Sequence, residues 1–249
     1  MDEKIGLAIF TYNRPEYLKQ VLSSVRGVEA DYLKVFIDYH SEEMQKELAH
    51  ICEVYDIDYF KSSSNKGIGR MKNEALHEMQ LHEVDHLFLM EDDILIKDLD
   101  VLKAYINYAE KKGVEHLNFA HHGPANKDLY CIYKDSICYP NVVGAFSYYT
   151  KNCIETVGYF DEDYLNAYEH VDHTERIANA GLTYPFWYFA DCYGSQSLLE
   201  EIPGSIDNSS IRPRSDWQSN ILKAQKISFE KKGYYLPPKP KNYQVYHGV

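Results

Sequence analysis

Short apolar runs alternate with amphipathic stretches through residues 5–90, and this alternation constrains the fold more than any other feature. The apolar runs cover residues 5–10, 34–38, 57–60 and 86–90, and we predict a strand for each. The three intervening stretches carry apolar residues at helical spacing. This order predicts a largely parallel sheet with helices on both faces. The loops that follow the strands then meet at one edge, where such sheets bind ligands.

The second half of the sequence continues the pattern less regularly. We predict helices over residues 98–112 and 169–180, and strands over residues 116–120 and 142–149. From residue 202 the chain is rich in Pro, Asn, Ser and Lys, so we expect it to wrap over the core with one helix, over residues 216–231. Asn13 and Ser41 precede the first two helices and are predicted to cap them. Neither a linker nor a repeat is recognisable, which favours a single domain over residues 1–249.

The composition argues against several classes of protein. The 249 residues are 45% hydrophobic and 14% aromatic, so the chain can bury a sizeable core. A formal net charge of −12 argues against a general nucleic-acid binder or a partner of anionic membranes, because both need a basic face. We expect no membrane span and no secretory signal. The five dispersed cysteines lack a CxxC pair, so we predict reduced thiols in a cytoplasmic protein.

Three adjacent acidic residues, Glu91, Asp92 and Asp93, end the fourth predicted strand. Neighbouring carboxylates repel one another, and burying them without partners is costly. A hard divalent cation offsets this repulsion, and Glu91 and Asp93 point to the same side of an extended chain. The triplet therefore indicates a site for Mg²⁺ or Mn²⁺ that also takes substrate phosphates. The alternative is a solvated acidic turn.

A glycine-containing turn, Asn65-Lys66-Gly67-Ile68-Gly69-Arg70-Met71-Lys72-Asn73, opens the third predicted helix. Helix N-termini with nearby Lys or Arg suit phosphates. Together with Arg14, this turn could balance the acidic triplet across a diphosphate. It is not the dinucleotide fingerprint, because no third glycine follows. A helix start with exposed basic residues is the alternative.

Titratable side chains crowd the start of the helix predicted at Glu169. Four of them share one helix face at i, i+3, i+4 and i+7: Glu169, Asp172, His173 and Arg176. His170 lies about 100° around the helix from Glu169. A carboxylate or imidazole at such a position can serve as a general base. A salt-bridged surface helix is the alternative.

In their order and spacing, these motifs resemble those of glycosyltransferase family 2, over roughly residues 5–182. A further segment, from Val143-Gly144-Ala145-Phe146 to Gly158-Tyr159-Phe160-Asp161, is similar to the family's acceptor side. The resemblance implies a GT-A fold: an α/β, Rossmann-like, largely parallel sheet with helices on both faces. Residues 1–97 would form the nucleotide-sugar-binding half, residues 98–201 the acceptor-side half and residues 202–249 a wrapping tail.

The resemblance also implies a set of site residues. Those expected at the nucleotide-sugar donor are Thr11, Tyr12, Asn13, Arg14, Asp38, Asn65, Gly67, Arg70, Asn73 and Asp92. Lys66 is an alternative to Arg70 at the diphosphate. Glu91 and Asp93 correspond to the Asp-x-Asp motif and would hold Mn²⁺ or Mg²⁺, with Asp93 as the surest ligand.

One departure from the family concerns the catalytic base. The family's Glu-Asp-x-Asp motif supplies a catalytic Asp, whereas this chain reads Glu169-His170-Val171-Asp172. By alignment His170 takes the place of the base. Glu169 is the alternative, and loss of activity is conceivable.

The function that follows is an inverting, metal-dependent glycosyltransferase. It would move a sugar from a nucleotide-diphosphate sugar, with a UDP-sugar as the expected donor, to a glycan or other hydroxyl acceptor, as in polysaccharide biosynthesis. A non-catalytic carbohydrate- or nucleotide-binding module is one alternative. A sugar nucleotidyltransferase is another, but it would need a Gly-rich basic loop after the first strand, where residues 11–15 match poorly.

Overall fold

The computed structural model describes residues 3–165, 167–205, 207–208 and 217–248. Within these residues eleven strands form: β1 (Ile5–Thr11), β2 (Tyr32–Ile37), β3 (Asp58–Lys61), β4 (His86–Glu91), β5 (Ile94–Ile96), β6 (His116–Asn118), β7 (Leu129–Tyr133), β8 (Ser136–Cys138), β9 (Phe146–Thr150), β10 (Leu199–Glu201) and β11 (Tyr246–His247). The helices are α1 (Pro15–Ser24), α2 (Glu42–Val54), α3 (Ile68–Leu81), α4 (Val101–Lys112), α5 (Lys151–Val157), α6 (Glu169–Asn179), α7 (Ser195–Leu198) and α8 (Trp217–Lys232).

Six strands form the central sheet, in the order β3-β2-β1-β4-β9-β6. The first four of these pair in parallel, as the alternating sequence pattern predicts. β9 lies antiparallel to both β4 and β6. The predicted α/β fold with a largely parallel sheet is therefore confirmed. Away from this sheet, β5 pairs with β10, and β7 pairs with β8 and β11.

Helices cover both faces of the sheet because the buried strands are apolar on both sides. Leu7 and Ile9 of β1 pack into a core with α1, α2 and α4, whereas Ala8 and Phe10 face a second core with α3, α5 and α6. Successive side chains of a strand point to opposite faces, so one apolar run feeds both cores. All loops that follow the parallel strands are thereby left at one edge.

The two predicted helix caps have different outcomes. The Ser41 hydroxyl accepts a hydrogen bond from the Met44 N–H at 3.2 Å, so this cap is confirmed. The predicted cap by Asn13 is wrong, because α1 begins one residue later, with Arg14 at the N-cap position and no side-chain cap. The Asn13 side-chain oxygen is instead buried without a hydrogen-bond partner.

Predicted boundaries shift most in the second half. The strand predicted over residues 142–149 begins only at Phe146, because residues 142–145 form a loop whose carbonyls bond outside the strand pairs. The strand predicted over residues 116–120 ends at Asn118. The tail helix is confirmed as α8, and the predicted start at Asp216 lies outside the described residues. Of the helices described, none has the length and apolar character that crossing a membrane requires. All five cysteines are buried free thiols.

Candidate active site

A cavity of about 480 Å³ opens at the edge of the sheet where the parallel strands end. It is lined by the turns after β1, β2 and β4, the loop before α3, residues 142–145, the start of α6, and Ser205 and Ile221 from the tail. Eleven of the predicted site residues line it: Thr11, Tyr12, Arg14, Asp38, Asn65, Gly67, Glu91, Asp92, Asp93, Glu169 and His170. The fold thus brings together motifs that are far apart in the sequence.

Two side chains hold Asp92: Thr11 at the end of β1 and Arg14 just before α1. The Thr11 hydroxyl donates a 2.6 Å hydrogen bond to Oδ2 of Asp92, and Arg14 donates through Nη2 to Oδ1. Arg14 also donates through Nη1 to Oδ2 of Asp93 at 3.1 Å. Burial raises the pKa of Asp92 to about 6, against the opposing effects of Arg14 and of the Thr11 hydroxyl. Both oxygens of Asp92 therefore have protein partners.

Glu91 and Asp93 both line the cavity, but the extended chain on which the sequence argument placed them is wrong. β4 ends at Glu91, and Asp92 and Asp93 form a turn that leads into β5. Glu91 instead accepts a hydrogen bond from Lys72 Nζ at 3.0 Å. The acidic triplet is therefore divided, with Glu91 paired to α3 and the two aspartates paired to Arg14.

Asp93 has the features of a cation ligand. Its Oδ1 is buried without a hydrogen-bond partner, and His122 Nε2 lies 3.5 Å from its Oδ2. Burial opposes ionisation, but His122 and Arg14 outweigh it and lower the pKa of the Asp93 carboxyl. In the part of the chain that the structure describes, no three His, Cys, Asp or Glu side chains form a group that could hold a metal ion. A cation here would therefore draw further ligands from a bound diphosphate, as Mg²⁺ commonly does.

Asp38 organises the loop before α3. Its carboxylate accepts hydrogen bonds from the backbone N–H groups of Lys66 and Gly67, each at 2.9 Å, and from the Ser62 hydroxyl at 2.9 Å. Gly67 has a φ of +78°, which a side chain rarely allows. Asn65 donates to the Tyr12 hydroxyl at 3.1 Å, so the loop also contacts the turn after β1.

Three of the predicted donor residues lie outside the cavity lining: Asn13, Arg70 and Asn73. Arg70 forms a half-exposed ion pair with Glu162 at 3.3 Å. Asn73 is buried and exchanges two hydrogen bonds with the backbone of Phe160, at 2.8 and 2.9 Å. Asn73 therefore ties α3 to the acceptor-side segment.

A carboxylate–imidazole pair stands at the start of α6. His170 Nδ1 lies 3.1 Å from Glu169 Oε1, and no other hydrogen bond of the His170 ring occurs among the described residues. Although burial alone would raise the pKa of Glu169, His170 and Lys72 outweigh it and lower this pKa to about 2. Tyr168, just before the helix, has a left-handed φ of +70°, an uncommon conformation for a non-glycine residue.

Two neighbours on the same helix fit the alternative of a salt-bridged helix instead. Asp172 accepts a hydrogen bond from Arg176 Nε at 2.9 Å and pairs with Lys232 of α8 at 2.6 Å. Neither Asp172 nor Arg176 lines the cavity. The chemistry of this motif is therefore confined to Glu169 and His170.

Solved structures of three glycosyltransferases are similar to this chain in fold. Staphylococcus aureus TarS 1–349 aligns with a TM-score of 0.56 and 15% identity over 92% of this chain and 72% of that one. The mannosyltransferase PcManGT from Pyrobaculum calidifontis, in complex with GDP-Man and Mn²⁺, aligns with a TM-score of 0.58 and 13% identity. The alignment covers 96% of this chain and 66% of that one. Glucosyl-3-phosphoglycerate synthase from Mycobacterium tuberculosis, in complex with Mn²⁺, UDP and glucosyl-3-phosphoglycerate, aligns with a TM-score of 0.58 and 8% identity. The alignment covers 99% of this chain and 87% of that one. This chain has the GT-A fold.

The GT-A fold that the sequence motifs imply is confirmed by the comparison of structures, whereas the two sequence comparisons find no relative. No protein-family model matches the sequence, and a search of curated proteins gave no match either. At identities of 8–15%, the likeness to the solved structures concerns the arrangement of the backbone. The chemistry of this GT-A site therefore depends on the residues that this chain itself places there.

Sequence reasoning gave Lys72 no role, and it noted His122 only as part of His121-His122-Gly123, which follows a strand at the ligand edge and could face a substrate. The Lys72 side chain is 1% exposed, and its Nζ donates to Glu91 and to the Gly144 carbonyl, at 3.0 and 3.1 Å. One signal was available, since Lys72 lies on the apolar face of α3 beside Met71 and Leu76. For His122, the only signal was its place after β6, at the ligand edge of the sheet.

Proposed function

We propose that this chain is an inverting glycosyltransferase that moves a sugar from a nucleotide-diphosphate sugar to a hydroxyl acceptor with the help of a divalent cation. One observation carries the proposal: the Asp92-Asp93 turn and the Glu169–His170 pair line the same cavity at the ligand edge of a GT-A sheet. The solved neighbours include complexes with UDP-GlcNAc, with GDP-Man and Mn²⁺, and with UDP. A UDP-sugar remains our expected donor.

The donor would lie across the turns that follow β1, β2 and β4. Tyr12, Asp38 and Asn65 line the cavity and would contact the nucleoside. Arg14 carries the positive charge beside the aspartates and can balance a diphosphate as well as a carboxylate. The donor would not contact Asn13, Arg70 and Asn73, because these residues do not line the cavity.

Asp93 is the residue that would hold Mn²⁺ or Mg²⁺, since its Oδ1 is buried without a partner. When bound, such a cation acts as a Lewis acid that stabilises the charge on the leaving diphosphate. Glu91 would not bind the cation directly, because its carboxylate accepts a hydrogen bond from Lys72.

His170 is the proposed base, and Glu169 orients it. The Nδ1–H of His170 donates to the Glu169 carboxylate, so Nε2 carries the lone pair. Nε2 would accept the proton of the acceptor hydroxyl while the hydroxyl oxygen bonds to the anomeric carbon and the bond from that carbon to the diphosphate breaks. A single in-line displacement of this kind inverts the anomeric configuration. The anionic Glu169 then stabilises the imidazolium that forms.

The test is turnover of a panel of UDP- and GDP-sugars by the full chain, with Mn²⁺, with Mg²⁺ and with EDTA. We expect donor consumption only with a divalent cation, an inverted product by NMR, and loss of turnover in Asp93→Ala and His170→Ala. Asp98→Ala changes an exposed aspartate outside the cavity and serves as the matched control. Equal turnover in EDTA would remove the cation from the mechanism, and loss in Glu169→Ala but not in His170→Ala would make Glu169 the base.

One observation supports a second candidate, a non-catalytic nucleotide- or carbohydrate-binding module. Arg14 already pairs with both Asp92 and Asp93, so these acids are partly neutralised by the protein itself. This candidate predicts that a nucleotide sugar raises the melting temperature without being consumed. The nucleotidyltransferase alternative has no such support, since residues 11–15, from the end of β1 to the start of α1, contain no glycine.

A further inference from the structure

His122 stands in the loop that follows β6 and lines the cavity. Its side chain is 17% exposed, and its Nε2 is buried without a hydrogen-bond partner. The preceding residue, His121, behaves differently, since its two ring nitrogens lie 2.9 Å from the Tyr139 hydroxyl and 2.8 Å from Gln196 Nε2. His122 is therefore a histidine held at the cavity wall with an unused ring nitrogen.

The unused nitrogen of His122 faces Asp93, which also has an unused atom. His122 Nε2 lies 3.5 Å from Asp93 Oδ2, and Asp93 Oδ1 is buried without a partner. Asp93 is itself 6% exposed. Two buried polar atoms without hydrogen bonds, on adjacent side chains, are costly unless something else binds them.

The other acids beside the cavity already have protein partners. Thr11 and Arg14 occupy both oxygens of Asp92, and Lys72 engages Oε1 of Glu91. A cation that binds Asp93 would compete with Arg14 for Oδ2 only, because Oδ1 is free. Glu169 Oε2 also lacks a hydrogen-bond partner, but the described contacts of Glu169 are with His170 and Lys72 and not with Asp93. Asp93 and His122 are therefore the neighbouring pair of side chains with donor atoms to offer.

We propose that His122 is a ligand of the divalent cation together with Asp93, and that its imidazole makes the site select Mn²⁺ over Mg²⁺. This inference rests on the proposed function, since a diphosphate would supply further ligands. Mg²⁺ is a hard ion that takes oxygen ligands and loses water reluctantly, whereas imidazole nitrogen binds first-row transition ions. A carboxylate-only site would not discriminate in this way.

The experiment measures nitrogen coupling to bound Mn²⁺ by electron spin echo envelope modulation, on the full chain with Mn²⁺ and UDP. We expect an imidazole nitrogen signal in the wild-type protein and in His121→Ala, and its loss in His122→Ala. In parallel, His122→Ala should raise the Kd for Mn²⁺ by about tenfold or more, the scale on which such sites respond to a lost partner. The Kd for Mg²⁺ should change much less.

Each outcome decides the matter. Mn²⁺ that binds without nitrogen coupling, or a signal that survives in His122→Ala, overturns the inference and leaves the proposed function intact if donor is still consumed. A nitrogen signal lost in His121→Ala rather than His122→Ala also overturns it. Absence of Mn²⁺ binding together with absence of donor consumption overturns both proposals.

Discussion

The ammonium nitrogen of Lys72 lies 3.0 Å from Oε1 of Glu91, and the Lys72 side chain is 1% exposed. The same nitrogen is 3.9 Å from Oε1 of Glu169. One buried cation therefore joins α3 to the end of β4 and to the start of α6. This contact fixes the end of β4, which precedes the Asp92-Asp93 turn, relative to Glu169, which pairs with His170.

Removing the Lys72 charge should destabilise the fold. Breaking a buried ion pair from one side costs about 3–5 kcal/mol, and less is expected here because Glu91 is 28% exposed. We expect Lys72→Met to lower the free energy of unfolding by about 2–4 kcal/mol in urea titrations. Adding Glu91→Gln should restore part of the loss, because it removes the uncompensated carboxylate.

Lys66→Met is the matched control for Lys72→Met. Lys66 pairs with Glu74 in a partly exposed ion pair, and exposed pairs contribute about 0–1 kcal/mol. A loss in Lys72→Met no larger than in Lys66→Met would contradict a structural role for the buried lysine.

Gly144 should be needed for the position of His170. A Cβ at residue 144 would lie 2.9 Å from His170 Cγ and 3.0 Å from its Cβ, which is too close. We expect Gly144→Ala to lower kcat by about 10²-fold, the scale on which a misplaced catalytic group acts, with a loss of stability of about 1–3 kcal/mol from overpacking. In a His170→Ala background the same substitution should change kcat little. An unchanged kcat in the single variant would remove His170 from the reaction.

The first half of the fold could be predicted because its signals are local. The apolar runs of β1, β2 and β4 and the spacing in α1 to α3 lie within single segments. The insertion of β9 between β4 and β6 could not be predicted, since it depends on pairing between distant segments. Sequence spacing therefore gives the class of fold but not the antiparallel strand that completes the sheet.

The parts of the candidate site that lie in contiguous motifs were predicted from the sequence. The parts that depend on contacts between distant segments were not. The turn that begins at Thr11 and the pair at Glu169 lie at the cavity, as expected. The partner of Glu91 could not be read from spacing, because the turn after β4 directs both aspartates to Arg14 and leaves Glu91 to Lys72. Arg70 seemed the better phosphate ligand, yet α3 directs it to the surface and buries Lys72.

The pH dependence of turnover should distinguish His170 from Glu169. The pKa of Glu169 is lowered to about 2, so this group stays ionised throughout the assay range and cannot produce a rising limb near neutrality. A base must be unprotonated, so a rise of kcat with pH near neutrality would come from a group other than Glu169. We expect this rise to be lost in His170→Ala. A rise that survives in His170→Ala would show that another group is the base.

His116 should make the fold sensitive to acid. Its Nδ1 lies 2.9 Å from the Tyr148 carbonyl and its Nε2 lies 3.0 Å from Asn118 Nδ2, so the ring is neutral, with Nδ1 as donor and Nε2 as acceptor. Burial lowers the pKa of His116 from 6.5 to about 4. Between these two pKa values the unfolded chain binds a proton that the folded chain does not, so stability is lost as the pH falls.

His116→Gln cannot bind this proton in either state. The stability of the wild-type protein relative to this variant should therefore fall by about 1.4 kcal/mol per pH unit from pH 6 towards pH 4.5. Urea titrations at several pH values measure this difference, and other groups that titrate in both proteins cancel from it. A constant difference for His116→Gln would show that the folded protein admits the proton.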